Sequence, residues 1–469
     1  MNAAVRNFGG NVEFRPQQIV APASEQEVLN LLAQQPRRVR VMGSRHAWSP
    51  LIQTGDLLLD LRRLSDVHVV STADGKVLVK AQAGCPIWKI LEALNEHGLT
   101  LPAIGLITAQ TIAGAISTGT HGSGRSSISH YVQEIRLACY DKSGDVPRVV
   151  TISEGDELRA ARCSLGCMGV ILEVTFAAVP QYYVQEMLVP VNSLDQALKS
   201  ESAWPLQQLY LMPHVWRYYV QRRRQAEPGN RFLADLYRIY WFLVMDLGLH
   251  LLVLGSLQLA QHRRVIKWLF RWLLPWFVIS SCRATDRSDR QLTMSHDLFR
   301  HVEEELFVRR DQLDVAIQIV REVLRLTDDR LHVLDTNVRS QLSDAGLLSQ
   351  LEPLAGTWTH HYPICIRRVA PDDTLISVTA DSVDDWYAIS LICYARPCDK
   401  FLAVAAFLAR ALGKICDARP HWGKWFPWQE PDGVPRHPGL KDFRGIVSQY
   451  DQKGVFRNEM VERVLGGES

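Results

Sequence analysis

One run of the chain constrains what the rest can be. Across Gln110-Thr111-Ile112-Ala113-Gly114-Ala115-Ile116-Ser117-Thr118-Gly119-Thr120-His121-Gly122-Ser123-Gly124, only Gln110, Ile112, Ile116 and His121 are larger than threonine. Such a run is too poor in large apolar side chains for an ordinary core strand. Its small residues let backbone N–H groups and short hydroxyls approach a phosphate closely. A tightly packed Gly/Ser/Thr loop without a ligand is the other reading, and composition alone leaves both open. A second turn, Val41-Met42-Gly43-Ser44-Arg45-His46-Ala47-Trp48, has a strand entering a Gly-Ser bend with Arg and His at its tip. Its backbone amides and Arg45 are suited to a pyrophosphate. His46 would there be an exposed nucleophile, or else a plain surface histidine.

Several chemistries are set aside by pattern. No GxGxxG follows a strand and opens a helix, no GxxxxGK[ST] occurs, and no HExxH or similar metal spacing appears. His360 and His361 are adjacent and would point apart in a strand, so no metal site is expected. The nine cysteines are odd in number, scattered and free of CxxC pairs, which suits a reducing compartment. The N-terminus lacks a basic-then-apolar signal pattern. A net charge of +2 over 469 residues gives no general field for nucleic acid, and none is expected as a partner.

The first 180 residues alternate short elements. Ser24 caps an expected helix Glu25–Gln35. Arg38–Met42 and Leu57–Leu61 read as strands. Val67–Ser71 and Lys76–Ala81 pair across Ala73-Asp74-Gly75, and Val132–Tyr140 pairs with Val146–Ile152. Pro86 opens a helix that Gly98 ends. Leu158–Cys163 reads as helix, Val170–Val179 as strand, and Pro180 as a boundary. Further on, a helix Asp311–Leu326, strands Tyr362–Val369 and Ala388–Tyr394, and a helix Lys400–Leu412 are expected. Trp425–Arg444 reads as loop.

These stretches together carry a resemblance. The pieces are Gly43–Pro50, Ala83-Gly84, Gly98–Leu101, Gln110–Gly124, Ala160–Val174, His361-Tyr362-Pro363, Arg367, Asp372-Asp373, Arg419-Pro420-His421-Trp422-Gly423-Lys424 and Tyr450–Asn458. In this order they resemble the sugar-lactone and polyol oxidases of the vanillyl-alcohol-oxidase flavoprotein superfamily, over nearly the whole chain. The resemblance implies an α+β fold. Residues 1–182 would be a two-subdomain FAD-binding module of the PCMH type. Residues 183–425 would be a cap domain with an antiparallel sheet, and residues 426–469 a tail returning to the FAD module.

The site residues follow from the same resemblance. FAD would contact Met42, Gly43, Ser44, Arg45, His46, Ala47, Thr111, Gly114, Ser117, Gly119, Thr120, His121, Gly122 and Val170, with Gly169-Val170-Ile171 on the adenine side. His46 stands where many members join the flavin covalently. Arg367 and Lys424 match the family's catalytic cations, since negative charge develops on the flavin as hydride arrives. The family's Pro-x-Glu-x-Arg strand reads Pro363-Ile364-Cys365-Ile366-Arg367 here, so Cys365 replaces a substrate-contacting Glu. That change bears on which substrate fits beside Cys365, Arg367 and Lys424. Glu303-Glu304-Glu305 is expected to be a solvated charge run, with Glu304 the member that could reach the pocket.

Residues 232–282 form a hydrophobic insert within the cap. Leu247–His262 lacks Asp, Glu, Lys and Arg over 16 residues, short of the roughly 20 that a span needs. Arg263, Arg264, Lys267 and Arg271 fall on one helical face, with Trp268, Trp272, Leu and Phe on the other, and Pro275 breaks the run. The expectation is a helical pair lying in a membrane interface, the chain being membrane-associated on the cytoplasmic side, or otherwise cytoplasmic. Burial in a dimer or against the cap is the competing reading, and the oligomeric state is open. The expected activity is FAD-dependent oxidation of a CH–OH group of a sugar-1,4-lactone or polyol, with oxygen or another carrier as acceptor. A hydrophobic or lipid-linked substrate at a membrane is the alternative, and a non-catalytic membrane adaptor the rival from another class.

Overall fold

The structure is a computed structural model that describes residues 4–73, 75–255, 263–273, 275, 279–280, 282–294, 299–380, 383–394, 398–430 and 437–466. Asp74 of the first expected turn, parts of the insert and residues 431–436 of the expected loop lie outside these.

The first module joins two sheets. Strands β1 (Gln18–Val20), β2 (Val39–Met42) and β3 (Leu57–Asp60) form a parallel sheet in the order β1-β3-β2. The helix between β1 and β2 is capped by Ser24, whose side chain accepts from Glu27 N. It runs over Glu25–Leu32, shorter than expected, because Gln35 adopts φ +52 and turns the chain out of the helix. Strands β4 (Val67–Ser71), β5 (Val77–Gln82), β6 (Val132–Tyr140), β7 (Pro147–Ile152) and β8 (Val170–Ala177) make a second, antiparallel sheet in the order β7-β6-β8-β5-β4. Both expected hairpins are present in it.

The rest of the chain builds one antiparallel sheet of eight strands: β9 (Tyr183–Val191), β10 (Gln208–Met212), β11 (Arg217–Ala226), β12 (Arg283–Arg287), β13 (Val302–Arg309), β14 (Ile364–Val369), β15 (Trp386–Cys393) and β16 (Arg419–Pro420). Their order is β12-β9-β11-β10-β14-β15-β13-β16. Helices Leu313–Asp328 and Asp399–Cys416 cover one face, sharing a core with Leu306, Val308, Ile364, Ile366 and Ile389. The other face looks back at the first module.

The tail closes the molecule. Phe443, Val447, Phe456, Met460 and Val461 join the same core as Val28, Leu59 and Leu137. The Asn458 side-chain amide donates to the carbonyls of Pro50, Leu51 and Gln53 at 2.9, 3.2 and 3.1 Å. Leu440–Tyr450 is helical, so the stretch read as loop ends at about its midpoint.

The insert is organised differently from the expected pair. One continuous helix of 25 residues, Arg231–Gly255, begins far upstream of Leu247 and is π-helical over Trp241–Gly248. Asn230 caps it, accepting from Phe232 N and Leu233 N. Tyr237 on its inner face donates to Glu186 at 2.7 Å, and His250 shares a hydrogen bond with Tyr394 Oη at 2.7 Å. Its outer face exposes Phe232, Leu233, Leu236, Ile239, Leu243, Leu251 and Leu252. In the second segment Ile266, Leu269 and Phe270 turn inward while Trp268 and Trp272 stay exposed. Lys267 is drawn into an ion pair with Asp328 at 2.6 Å, leaving Arg264 and Arg271 outside.

Candidate active site

A cavity of about 260 Å³ runs between the first module and the open face of the eight-stranded sheet. The loop leaving β2 and the small-residue run build one end. A Cβ on Gly43 would stand 2.0 Å from Thr111 Oγ1, so glycine is what allows the two loops to touch. Arg45 has φ +62 and turns the tip, Ser44 Oγ donates to Ala109 O, and Phe8 N donates to Arg45 O at 2.8 Å. The His46 ring lies on Phe8, centroids 5.3 Å apart. In the small-residue run, Ile112–Ser117 is a short helix, and Thr111, Gly114, Ser117, Thr118 and Thr120 face the cavity.

The other end rests on β13. Strand alternation sends Leu306 and Val308 to the helix-covered core and Glu303 and Glu305 to the cavity. The segment Arg419–Trp425 runs beside β13. His421 N donates to Glu305 O and Trp425 N to Glu303 O, both at 2.9 Å. This places the Lys424 ammonium against the Glu303 carboxylate and 4.4 Å from the centre of the Trp48 ring. Trp48 N in turn donates to Gly423 O at 2.8 Å, locking the first module to this segment. Arg367 on β14 reaches within 4.0 Å of Glu305 Oε1, Ser390 donates to the same oxygen at 2.8 Å, and His121 Nε2 lies 3.4 Å from Glu305 Oε2. The donor atoms of His121, Glu305 and His421 all fall within 4.8 Å of one another.

Charge in this end is nearly balanced. Burial works against ionising Glu303, but Lys424 and His301 outweigh it and bring its carboxyl down to about 2. Burial likewise opposes Glu305, and His121 and Lys424 outweigh it, holding its carboxyl well below the usual range. Burial pushes His421 down to about 3, so its ring is neutral. Its Nδ1 accepts from Gly423 N at 3.0 Å, which leaves the ring proton on Nε2.

Of the residues singled out in the sequence, Met42, Gly43, Ser44, Arg45, His46, Ala47, Thr111, Gly114, Ser117, Thr120, His121, Arg367 and Lys424 line this cavity. Four do not. Gly119 serves a turn with φ +74, and Gly122 backs onto Ile104 O, which a Cβ would meet at 2.5 Å. Val170 is buried in the β8–β6 pairing, with Gly169 and Ile171 on the cavity side instead. Cys365 shares its face of β14 with Arg367 but is covered beside Tyr210. The triple glutamate is buried rather than solvated. Glu304 is the member turned away from the cavity, and burial holds its carboxyl well above the usual range.

Sequence reasoning missed Glu303 and Glu305, and with them Asp246, His250, Phe299, His301, Tyr362, Tyr394 and His421, which also line the cavity. The signal for the glutamates was the apolar Leu306-Phe307-Val308 immediately after them, which marks a strand buried on both faces.

The donor set fits FAD. Every carboxylate that lines the cavity, Asp246, Glu303 and Glu305, belongs to the cap side. The end built from Gly43–Ala47 and Thr111–Thr118 offers hydroxyls, close backbone and Arg45, which suits a pyrophosphate. An α+β scaffold with that end, facing a cationic and carboxylate-bearing sheet, is that of an FAD-dependent oxidoreductase. Residues 16–148 match the FAD binding domain, and residues 174–464 match the family described as D-arabinono-1,4-lactone oxidase. The chain belongs to that family.

Among curated relatives, a long-chain alcohol oxidase from an uncultured marine euryarchaeote is 44% identical, covering 98% of this chain and 96% of its own. The L-gulonolactone oxidase of Mus musculus is 26% identical, covering 98% of each chain. The alditol oxidase of a Streptomyces species is 24% identical over the full length of both. Among solved structures, the cholesterol oxidase of Brevibacterium sterolicum has the same fold, with a TM-score of 0.72 at 15% identity, over 98% of this chain and 96% of its own.

Proposed function

We propose that this enzyme oxidises the hydroxyl-bearing carbon of an alcohol carried on an apolar chain, working from a membrane surface. The observation that carries this reading is the wall of the cavity beyond Arg367 and Lys424. Leu106, Ile107, Met294, Phe299, Tyr362 and Ile392 line it, and His250 of the insert helix closes it. An apolar chain gains from burial against that wall. The name of the long-chain alcohol oxidase relative points the same way.

FAD, when bound, supplies the hydride acceptor. Arg367 and Lys424 hold the substrate oxygen and favour its negatively charged form. Glu305, ionised and fixed by His121 and Ser390, orients the Arg367 guanidinium toward the reacting oxygen. Phe8 supports the His46 ring in the position from which it would bond the flavin. Molecular oxygen is the acceptor we favour, forming peroxide. The exposed apolar face of Arg231–Gly255, with Trp268, Trp272, Arg264 and Arg271 beside it, would lie in the headgroup region.

Anaerobic mixing tests the substrate. A series of primary alkanols should bleach the flavin with increasing efficiency as the chain lengthens. Bleaching by gulono- or galactonolactone and by no alkanol would restore the sugar reading. Acid precipitation tests the linkage: yellow colour should stay in the pellet, and His46→Ala should move it to the supernatant.

A further inference from the structure

A second, smaller cavity of about 30 Å³ lies behind Arg367, and three guanidinium-bearing side chains from three elements line it: Arg125 after the small-residue run, Arg223 on β11 and Arg367 on β14. Ser123, Tyr182 and Gln208 complete its polar lining, with Ala103, Ile104, Leu106, Leu206 and Leu292 as the apolar part. The carboxylates in reach do not balance these charges. Glu186 accepts from Arg223 at 2.6 Å and is shared with Gln221 and Tyr237, each at 2.7 Å. Glu305 is 4.0 Å from Arg367 and already engages His121 and Ser390. Arg125 makes no ion pair among the described residues and lies 5.5 Å from the centre of the Tyr182 ring, and its Nε is buried without a hydrogen-bond partner. With Glu303 engaged by Lys424, three cations thus face Glu186 and Glu305, and the unpartnered Arg125 Nε belongs to the lining.

We propose that this cavity binds one small inorganic anion of halide size, held by Arg125, Arg223 and Arg367. Water would satisfy the hydrogen bonds, whereas an anion also answers the positive charge of the partly exposed Arg125, whose Nε is buried without a partner. The volume admits little more than one water-sized particle, which selects a halide over a phosphate or a substrate carboxylate. Because Arg367 and Leu106 line both cavities, an anion here sits directly behind the active-site guanidinium. It would fix the direction in which Arg367 points and moderate its charge at the reacting end.

The test uses the holoenzyme at constant ionic strength, replacing sodium gluconate by sodium chloride or bromide. A saturable change in the visible spectrum of the bound flavin is expected with the halides. Arg125→Gln should raise the half-saturating concentration at least about tenfold, and Arg125→Lys should recover part of it. Bromide-soaked crystals of the unaltered protein should show an anomalous peak between the three arginines. Absence of that peak overturns the proposal whatever the variants do. So does a halide response that is the same in Arg125→Gln as in the unaltered enzyme. Neither readout depends on the substrate, so the alcohol reading can fail while this one stands.

Discussion

At the residue scale, the Lys424–Glu303 pair holds both the stability and the chemistry of the active site. Lys424→Met leaves a buried carboxylate uncompensated and should cost about 3–5 kcal/mol of stability. The double variant Lys424→Met with Glu303→Gln should recover most of that loss in denaturant melts, while turnover stays low in both, which separates the cation's chemical role from its structural one. Glu305→Gln should lower kcat by roughly tenfold or more, because it removes the charge that orients Arg367. Asp246 gives a pH signature. Burial in the insert raises its carboxyl to about 6, above its unfolded value. The folded state therefore binds the proton more tightly, so this group's contribution falls as pH rises from about 4 to 6 and stays unfavourable above that. Asp246→Asn should flatten that part of the Tm-against-pH curve and raise Tm at neutral pH. These roles were only partly legible beforehand. Arg367 and Lys424 were found through a motif, but nothing local in Glu303-Glu304-Glu305 tells which carboxylates face a cavity, because β13 is covered on both sides.

At the element scale, the helix Arg231–Gly255 presents two faces with different tasks. Tyr237 and His250 tie its inner face to the sheet, and the outer face carries exposed Phe232, Leu236, Ile239 and Leu243. Changing those four to Ser should abolish co-sedimentation with anionic vesicles while leaving turnover of a short, soluble alkanol within about twofold. Co-sedimentation equal to that of the unaltered protein would sink the docking reading. Deleting the insert outright is a poorer test, since Asp246 and His250 also line the active-site cavity. The apolar character of this region was plain in the sequence. Its phase was not, because the π-helical stretch Trp241–Gly248 shifts the periodicity that assigns residues to faces.

At the scale of the whole molecule, the two ends of the chain are interdependent. Arg40, buried in β2, donates to Phe456 O and Leu165 O, and the Phe456 ring is fully buried in the first module's core. Phe456→Ala should destabilise the protein by about 3–5 kcal/mol and loosen FAD, read as a lower Tm and flavin lost on gel filtration, although the residue does not line the flavin cavity. Local pattern alone settled much of this protein. Hairpins with turn chemistry, a capped first helix and two glycine-bearing turns are each dictated by neighbours in sequence, since backbone strain and capping act over a few residues. The tertiary structure decided what depends on distant partners. It alone set which glutamates meet Lys424 and Arg367, that Cys365 is covered, and that three arginines close on one small cavity. Burial and electrostatics are properties of a position in space, and strands far apart in the chain create that position.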